Sequence, residues 1–182
     1  MYILKSGETE MQKYFLKEYR TDRLILRKFM DEDVFDVFEY SSDDETTNFL
    51  TWKSHKNIEE TIFSIKNFLK KDGVFAIVLK SSKKVIGCID LMFEDDNKAT
   101  FGYVLNKKYW RNGFMSEALL KIINIAFNEF NLDEVFGLCE IDNKASAKVM
   151  EKCGMIKIDC LKNKQINDKI ADYYKYSIKR EF

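Results

Sequence analysis

The residues most suited to chemistry fall in two short runs. The first is Tyr109-Trp110-Arg111-Asn112-Gly113-Phe114-Met115-Ser116-Glu117-Ala118, where one glycine sits between a loop and a strongly amphipathic segment. The first amides of a helix have no internal partner and carry partial positive charge. They make a ready seat for a pyrophosphate, and a glycine lets the backbone come close. Arg111 adds a charge; the plain alternative is a loop turned by Gly113. The second run is Asn143-Lys144-Ala145-Ser146, continuing to Gly154-Met155. Asn143 and Ser146 have the spacing of a helix N-cap and its third residue, so capping is the first reading. Capping and ligand contact hold together if the Asn143 amide also meets a ligand. A third stretch, Thr21-Asp22-Arg23-Leu24-Ile25-Leu26-Arg27 with Asp33 after it, reads on physics alone as a strand and a helix.

The elements that must position these residues follow from periodicity. Leu24–Leu26 reads as a strand, and Asp31–Tyr40 as a short helix with Val34, Phe35, Val37 and Phe38. Residues 42–57 form a long loop, and Asn57 with Glu60 opens a capped helix that ends at Asp72-Gly73. Val74–Leu79, Val85–Phe93 and Ala99–Leu105 form an antiparallel meander. The helix from Phe114 to about Phe130 carries the cleanest stripe: Met115, Ala118, Leu119, Ile122, Ile123, Ala126, Phe127 and Phe130. A strand Val135–Ile141, a helix opened by Asn143 and closed by Gly154, and strands Ile156–Leu161 and Ala171–Ile178 complete the chain. The order β-α-α-β-β-β-α-β-α-β-β predicts an α+β single domain around a mixed, mostly antiparallel sheet. Residues 1–20 read as a polar N-terminal extension, with Met11 a second candidate start, and residues 21–182 as the domain.

Composition narrows the function. The 182 residues are 46% hydrophobic and 33% charged, as in a globular chain. Lys+Arg and Asp+Glu both number 30, so there is no basic excess to displace counterions from a nucleic acid. No apolar run reaches the length of a membrane span, and the start lacks the apolar core of a secretory signal. Cys88, Cys139, Cys153 and Cys160 include no Cys-x-x-Cys pair, and His55 is the only histidine. A zinc site is therefore not expected. Scattered cysteines without a signal read as reduced thiols in a cytoplasmic protein.

The chain is similar to GNAT-superfamily N-acetyltransferases, and within them to the branch of ribosomal-protein-alanine and related enzymes. The residues that carry the likeness are Arg23-Leu24-x-Leu26-Arg27 and Gly102-Tyr103-Val104-Leu105. With them stand Tyr109-Trp110-x-x-Gly113-Phe114-x-x-Glu117-Ala118 and Asn143-x-x-Ser146-x-x-Val149-Met150-Glu151-Lys152-x-Gly154-Met155. The match runs in order over about residues 20–180. It implies acetyl-CoA as co-substrate, with no metal. The pantetheine arm would lie between splayed strands Ala99–Leu105 and Val135–Ile141, paired with backbone groups of Val104 and Leu105. The pyrophosphate would sit on the amides of Arg111, Asn112, Gly113, Phe114, Met115 and Ser116. Asn143 would touch pantetheine, with Ser146 near the thiol.

The chain also departs from the family pattern. Trp110 replaces Gln or Arg at the head of the phosphate motif, and Met115 replaces its final Gly or Ala. Met150 stands where many members have a tyrosine acid, and Thr100 where many have a glutamate. The sequence leaves Ser146 as candidate proton donor to the thiolate and Asp90 and Glu140 as candidate bases, with a backbone amide near Leu105 for the oxyanion. The expected acceptor is a primary amine, foremost the α-amine of a protein such as a ribosomal protein. A small amine (polyamine, amino acid or antibiotic), a CoA-binding module without catalysis and a protein-interaction domain are the alternatives. Acceptor specificity is expected in residues 42–57 and 162–170. The protein is expected to be a monomer or homodimer, with no nucleic-acid or membrane partner.

Overall fold

A computed structural model describes residues 14–95, 97–167 and 169–180. Residues 1–13, with Met11, lie outside the described residues. Phe15 and Tyr19 are buried, so the chain already joins the core before the domain boundary expected at residue 21. Strand β1 (Tyr19–Arg20) pairs antiparallel with β2 (Leu24–Arg27). Arg27 then reaches the Asp33 carboxylate with two bonds of 2.7 Å, fixing the chain entry to helix α1 (Val34–Ser41).

Two features appear in the stretch expected to be loop and helix. Asp43 accepts from Thr46 N–H at 2.8 Å and opens the short helix α2 (Asp44–Thr47) inside residues 42–57. Helix α3 (Ile58–Ser64) is capped by Asn57 as expected, then widens into a π turn over Ile65–Leu69. There Lys70 N–H bonds to Ile65 C=O.

Strands β3 (Val74–Leu79) and β4 (Val85–Asp90) are buried along most of their length because helices cover both faces. The expected second and third meander strands are each broken. At Leu91 the second splits into β4 and β5 (Met92–Glu94). At Phe101-Gly102 the third splits into β6 (Lys98–Thr100) and β7 (Tyr103–Leu105). Helix α4 (Phe114–Asn128), strand β8 (Glu134–Glu140), helix α5 (Lys144–Lys152) and strands β9 (Ile156–Ile166) and β10 (Lys169–Lys179) follow. Residues 162–170 are thus mostly strand, closing a long hairpin, where a loop was expected.

The breaks divide the sheet into two halves, β1-β2-β3-β4-β7 and β5-β6-β8-β10-β9. All pairs are antiparallel except β6 with β8, which run parallel at Lys98–Thr100 beside Glu134–Phe136. The expectation of a mixed, mostly antiparallel α+β domain holds. The α4 stripe (Ala118, Leu119, Ile122, Ala126) packs on Leu24, Leu26, Phe75, Ile77 and Ile89. On the opposite face Val37, Tyr40 and Ile65 cover Ala76, Val78, Val85 and Cys88. Each large apolar side chain so buried contributes roughly 1.5–3 kcal/mol. No helix among the described residues is long and apolar enough to cross a membrane.

Candidate active site

The loop before α4 is built to leave amides open. Gly113 takes a left-handed conformation, φ 78°, at the N-cap of α4, and no side chain caps the helix. The first in-helix bond is Glu117 N–H to Gly113 C=O at 3.0 Å, so the amides of Phe114, Met115 and Ser116 precede the ladder. Asn112 turns its side chain back onto the carbonyls of Tyr109 and Trp110. Trp110 donates its indole N–H to Leu105 C=O at 2.6 Å, tying the loop to β7.

Cations besides Arg111 stand beside the loop. Arg111, φ 63°, is exposed. Arg23 and Lys152 flank Gly113, their terminal nitrogens 3.5 and 3.7 Å from where a Cβ would stand. They line a cleft of about 420 Å³ with Asn112, Ser116 and Glu117. Met115 and Ser116 are buried, and Ser116 lies at the wall of the cleft.

Glu117 locks this loop to β2. Its carboxylate accepts from Arg23 N–H at 2.8 Å, Arg23 Nε at 2.7 Å and the Thr21 hydroxyl. Burial acts to raise the Glu117 carboxyl, but those hydrogen bonds outweigh it and hold it below the usual carboxylate range. Glu117→Ala is expected to cost about 2–3 kcal/mol, since it strips an amide, a hydroxyl and a guanidinium at once. With its folded pKa depressed, the Glu117 contribution is present above the ordinary carboxylate range and lost as pH falls through the folded pKa. Denaturation of both proteins from pH 7 into acid checks this: the stability gap should close at low pH.

Beside the loop, the strands part. β6 and β8 stay paired to Thr100 and Phe136; beyond that, β7 turns toward β4 and β8 continues beside β10. Gly137 marks the parting point, because a Cβ there would strike the Phe101 ring. The ladder phase decides which groups of β7 face the gap. Asn106 N–H bonds to Ile86 C=O and Asp90 N–H to Gly102 C=O, and Val104 C=O lies against Gly87. In an antiparallel ladder alternate residues point their peptide groups the same way. The peptide groups of Tyr103 and Leu105 therefore face the gap, while those of Val104 face β4. Of the two residues expected to pair with a pantetheine arm, Leu105 is so aimed, and Tyr103 takes the place of Val104. Two strand edges across a wedge suit an extended, amide-bearing chain, which adds like a strand.

The two faces of the sheet separate the proposed roles. Ile89 and Cys139 belong to the α4-side core, and Cys88 to the α1-side core. Alternation places Asp90 and Glu140 on the α1 side. Ser146, at the start of α5, lies on the other side, its N–H on Asn143 Oδ1 at 3.0 Å. Asn143 thus caps α5 and keeps its amide NH2 for another partner. Asp90 accepts from Gly102 N–H at 2.6 Å. Burial pushes its carboxyl up to about 6, against the opposing pull of that bond. Glu140 is instead engaged by Lys169 at 2.5 Å.

The remaining candidates have structural tasks. His55 Nδ1 lies 2.9 Å from Ser41 Oγ and 2.8 Å from Thr61 Oγ1, pinning the 42–57 segment onto α1 and α3. Burial pushes its pKa down. Cys88, Cys139 and Cys153 are buried thiols, and Cys160 is exposed. Met150 is fully buried. Sequence reasoning missed Lys152 as a neighbour of Gly113 and Tyr103 as a neighbour of Ser146. Tyr103 follows the break between β6 and β7, and Lys152 lies in the last turn of α5, so both neighbourhoods depend on tertiary packing rather than on local sequence.

A family model for the acetyltransferase (GNAT) domain matches residues 23–156. The uncharacterised N-acetyltransferase YoaA of Bacillus subtilis is 32% identical over 144 residues, 75% of this chain and 81% of the relative. A GNAT-family acetyltransferase from Bacillus anthracis superposes with TM-score 0.82 at 26% identity, over 90% of this chain and 98% of that one. RimL, a ribosomal α-N-protein acetyltransferase solved with coenzyme A, has the same fold at 17% identity, TM-score 0.76, over 90% of this chain and 98% of its own.

Proposed function

The chain belongs to the GNAT family of acetyltransferases, and from that premise we propose that it acetylates the α-amine of a protein N-terminus, with Asp90 as base and Ser146 as proton donor. GNAT enzymes use acetyl-CoA, and the wedge between β7 and β8 beside the open amides of α4 fits that co-substrate. A cytoplasmic location is part of the same proposal: Cys88, Cys139 and Cys153 are free, buried thiols, as in proteins of a reducing compartment.

The observation that carries the acceptor is Asp90. An amine must be neutral to attack. An α-ammonium has a pKa of about 7.7–8.0 and a lysine about 10.4. A base near 6 lies about two units below the first and more than four below the second. At pH 7 the extra cost of a neutral lysine is about 3.5 kcal/mol. Asp90 therefore suits an α-amine. That one fold neighbour is a ribosomal α-N-protein acetyltransferase supports the same choice.

In this reading the amine approaches from the α1 side, where Asp90 takes its proton. The Leu105 amide, aimed into the wedge, donates to the carbonyl oxygen as charge develops there. Ser146, on the far side of the sheet, faces the departing sulfur. The engagement of Glu140 by Lys169 leaves Asp90 as the base of choice, and ties the β9–β10 hairpin to β8. Lys169 also approaches Asn48 C=O at 3.3 Å, so hairpin and α2 segment together would border the acceptor.

Two peptides of one composition test the acceptor: one with a free N-terminus and no lysine, one Nα-blocked with a single lysine. Thiol release should be at least about tenfold faster on the first. Faster release on the blocked peptide, or on small amines alone, would overturn the assignment.

A further inference from the structure

Ser146 does not stand alone. Tyr103, on β7, points its side chain to the face that carries α5 and sets its hydroxyl 2.7 Å from Ser146 Oγ and 3.3 Å from Ser146 C=O. The contact joins residues 43 apart in sequence, one on β7 at the edge of the gap and one in the first turn of α5, which follows β8. Its geometry is held from behind. The Tyr103 ring stacks on Phe101, centroids 5.9 Å apart and planes 12° from parallel. Phe101 in turn fills the place that Gly137 leaves open at the parting of the strands. The Ser146 N–H is taken by Asn143, which leaves its hydroxyl as the one donor that can turn into the wedge. When the Tyr103 O–H donates to Ser146 Oγ, the serine proton is free to point there.

We propose that Tyr103 positions Ser146 and resupplies its proton, so that the two hydroxyls act as a relay to the departing thiolate. This rests on the wedge being the seat of acetyl-CoA. The Ser146 O–H bond breaks as the S–H bond forms. The Tyr103 O–H bond breaks as the Ser146 O–H bond is restored, and a solvent proton returns to the Tyr103 oxygen. No electrons change hands. Burial pushes the Tyr103 phenol well above its ordinary pKa, which keeps it protonated and a donor at every working pH. A serine hydroxyl alone is a poor acid, and a chain of hydrogen bonds polarises its members.

The test is a double-mutant cycle on the full chain. Tyr103→Phe keeps the ring and its stack on Phe101 and removes only the hydroxyl. Tyr103→Phe and Ser146→Ala should each lower kcat about tenfold to a hundredfold, with acetyl-CoA affinity by calorimetry unchanged within about twofold. The double variant should be no slower than Ser146→Ala, because the phenol acts through the serine. A second readout needs no acceptor: spectrophotometric titration of the thiol of bound CoA. Losing a donor to the thiolate should raise its pKa by about one unit in each single variant and no further in the double. Additive losses in kcat, a Tyr103→Phe enzyme at full rate, or the same thiol titration in all four proteins would overturn the relay. Failure of the unaltered protein to bind CoA would overturn the wedge reading itself, and the relay with it.

Discussion

Asp90→Asn is expected to lower kcat by about a hundredfold or more, the usual worth of a positioned base, and at the same time to make the protein more stable at pH 7–8. Both effects have one cause. Burial holds the Asp90 carboxyl at about 6, above the ordinary value of 3.8. The folded state therefore binds a proton more tightly than the unfolded chain. Its stabilising share is complete below the unfolded pKa and is lost as pH rises through the folded one. At pH 8 the ionised carboxylate costs the fold up to about 3 kcal/mol, from two units at 1.36 kcal/mol each. Asparagine is the same shape, keeps an oxygen for Gly102 N–H and carries no charge. Thermal unfolding should show the variant melting higher at pH 8, with the difference shrinking toward pH 4. In the unaltered enzyme kcat/KM should rise through an inflection near 6, and the variant should lose it. A variant at full rate with that inflection intact would remove Asp90 as the base.

The second large effect is on binding. Gly113→Asp should raise the dissociation constant for acetyl-CoA about a hundredfold, some 2.7 kcal/mol, while Gly113→Asn raises it less than about tenfold. Space is not the issue, since a Cβ there meets Arg23 and Lys152 at ordinary contact distances. Both residues tolerate a left-handed backbone and both cap helices, so the strain at φ 78° is shared. They differ in charge. An aspartate places a carboxylate on the amides and cations that the pyrophosphate would use. Calorimetry on the two variants separates charge from shape. Equal losses would show that the loop acts only as a turn.

The sequence revealed the parts with strong local periodicity. The α4 stripe, the Asn57 cap and the Asn143–Ser146 spacing each determine their own geometry within a few residues, and each stands as expected. The parts that depend on distant neighbours were hidden. Val85–Phe93 and Ala99–Leu105 each read as one continuous apolar-rich strand, and the bends at Leu91 and Phe101-Gly102 follow from pairing with different distant strands on either side. Yet those bends create the wedge, because they pass each chain segment from one half-sheet to the other. The same bends decide that Tyr103, and not Val104, turns its peptide groups inward. Residues 162–170 looked like a loop for their polarity, but polar side chains suit the exposed β9 edge equally well. Arg111 drew attention by its place in the motif, whereas Arg23 reaches Asn112 C=O from 89 residues away at 3.0 Å. Asp90 and Glu140 were equal candidates until Lys169, brought close by the hairpin, engaged one of them.

In the proposed reaction the wedge presents the thioester to an α-amine with Asp90 on one side and Ser146 on the other. The most direct measurement is thiol release from acetyl-CoA with a free N-terminal peptide across pH 5 to 9, with acetyl-CoA binding followed by calorimetry in the same preparation. The expected result is binding, release that depends on the peptide's free α-amine, and a rise in kcat/KM through an inflection near pH 6. Binding of acetyl-CoA with no release on any free N-terminus would contradict it.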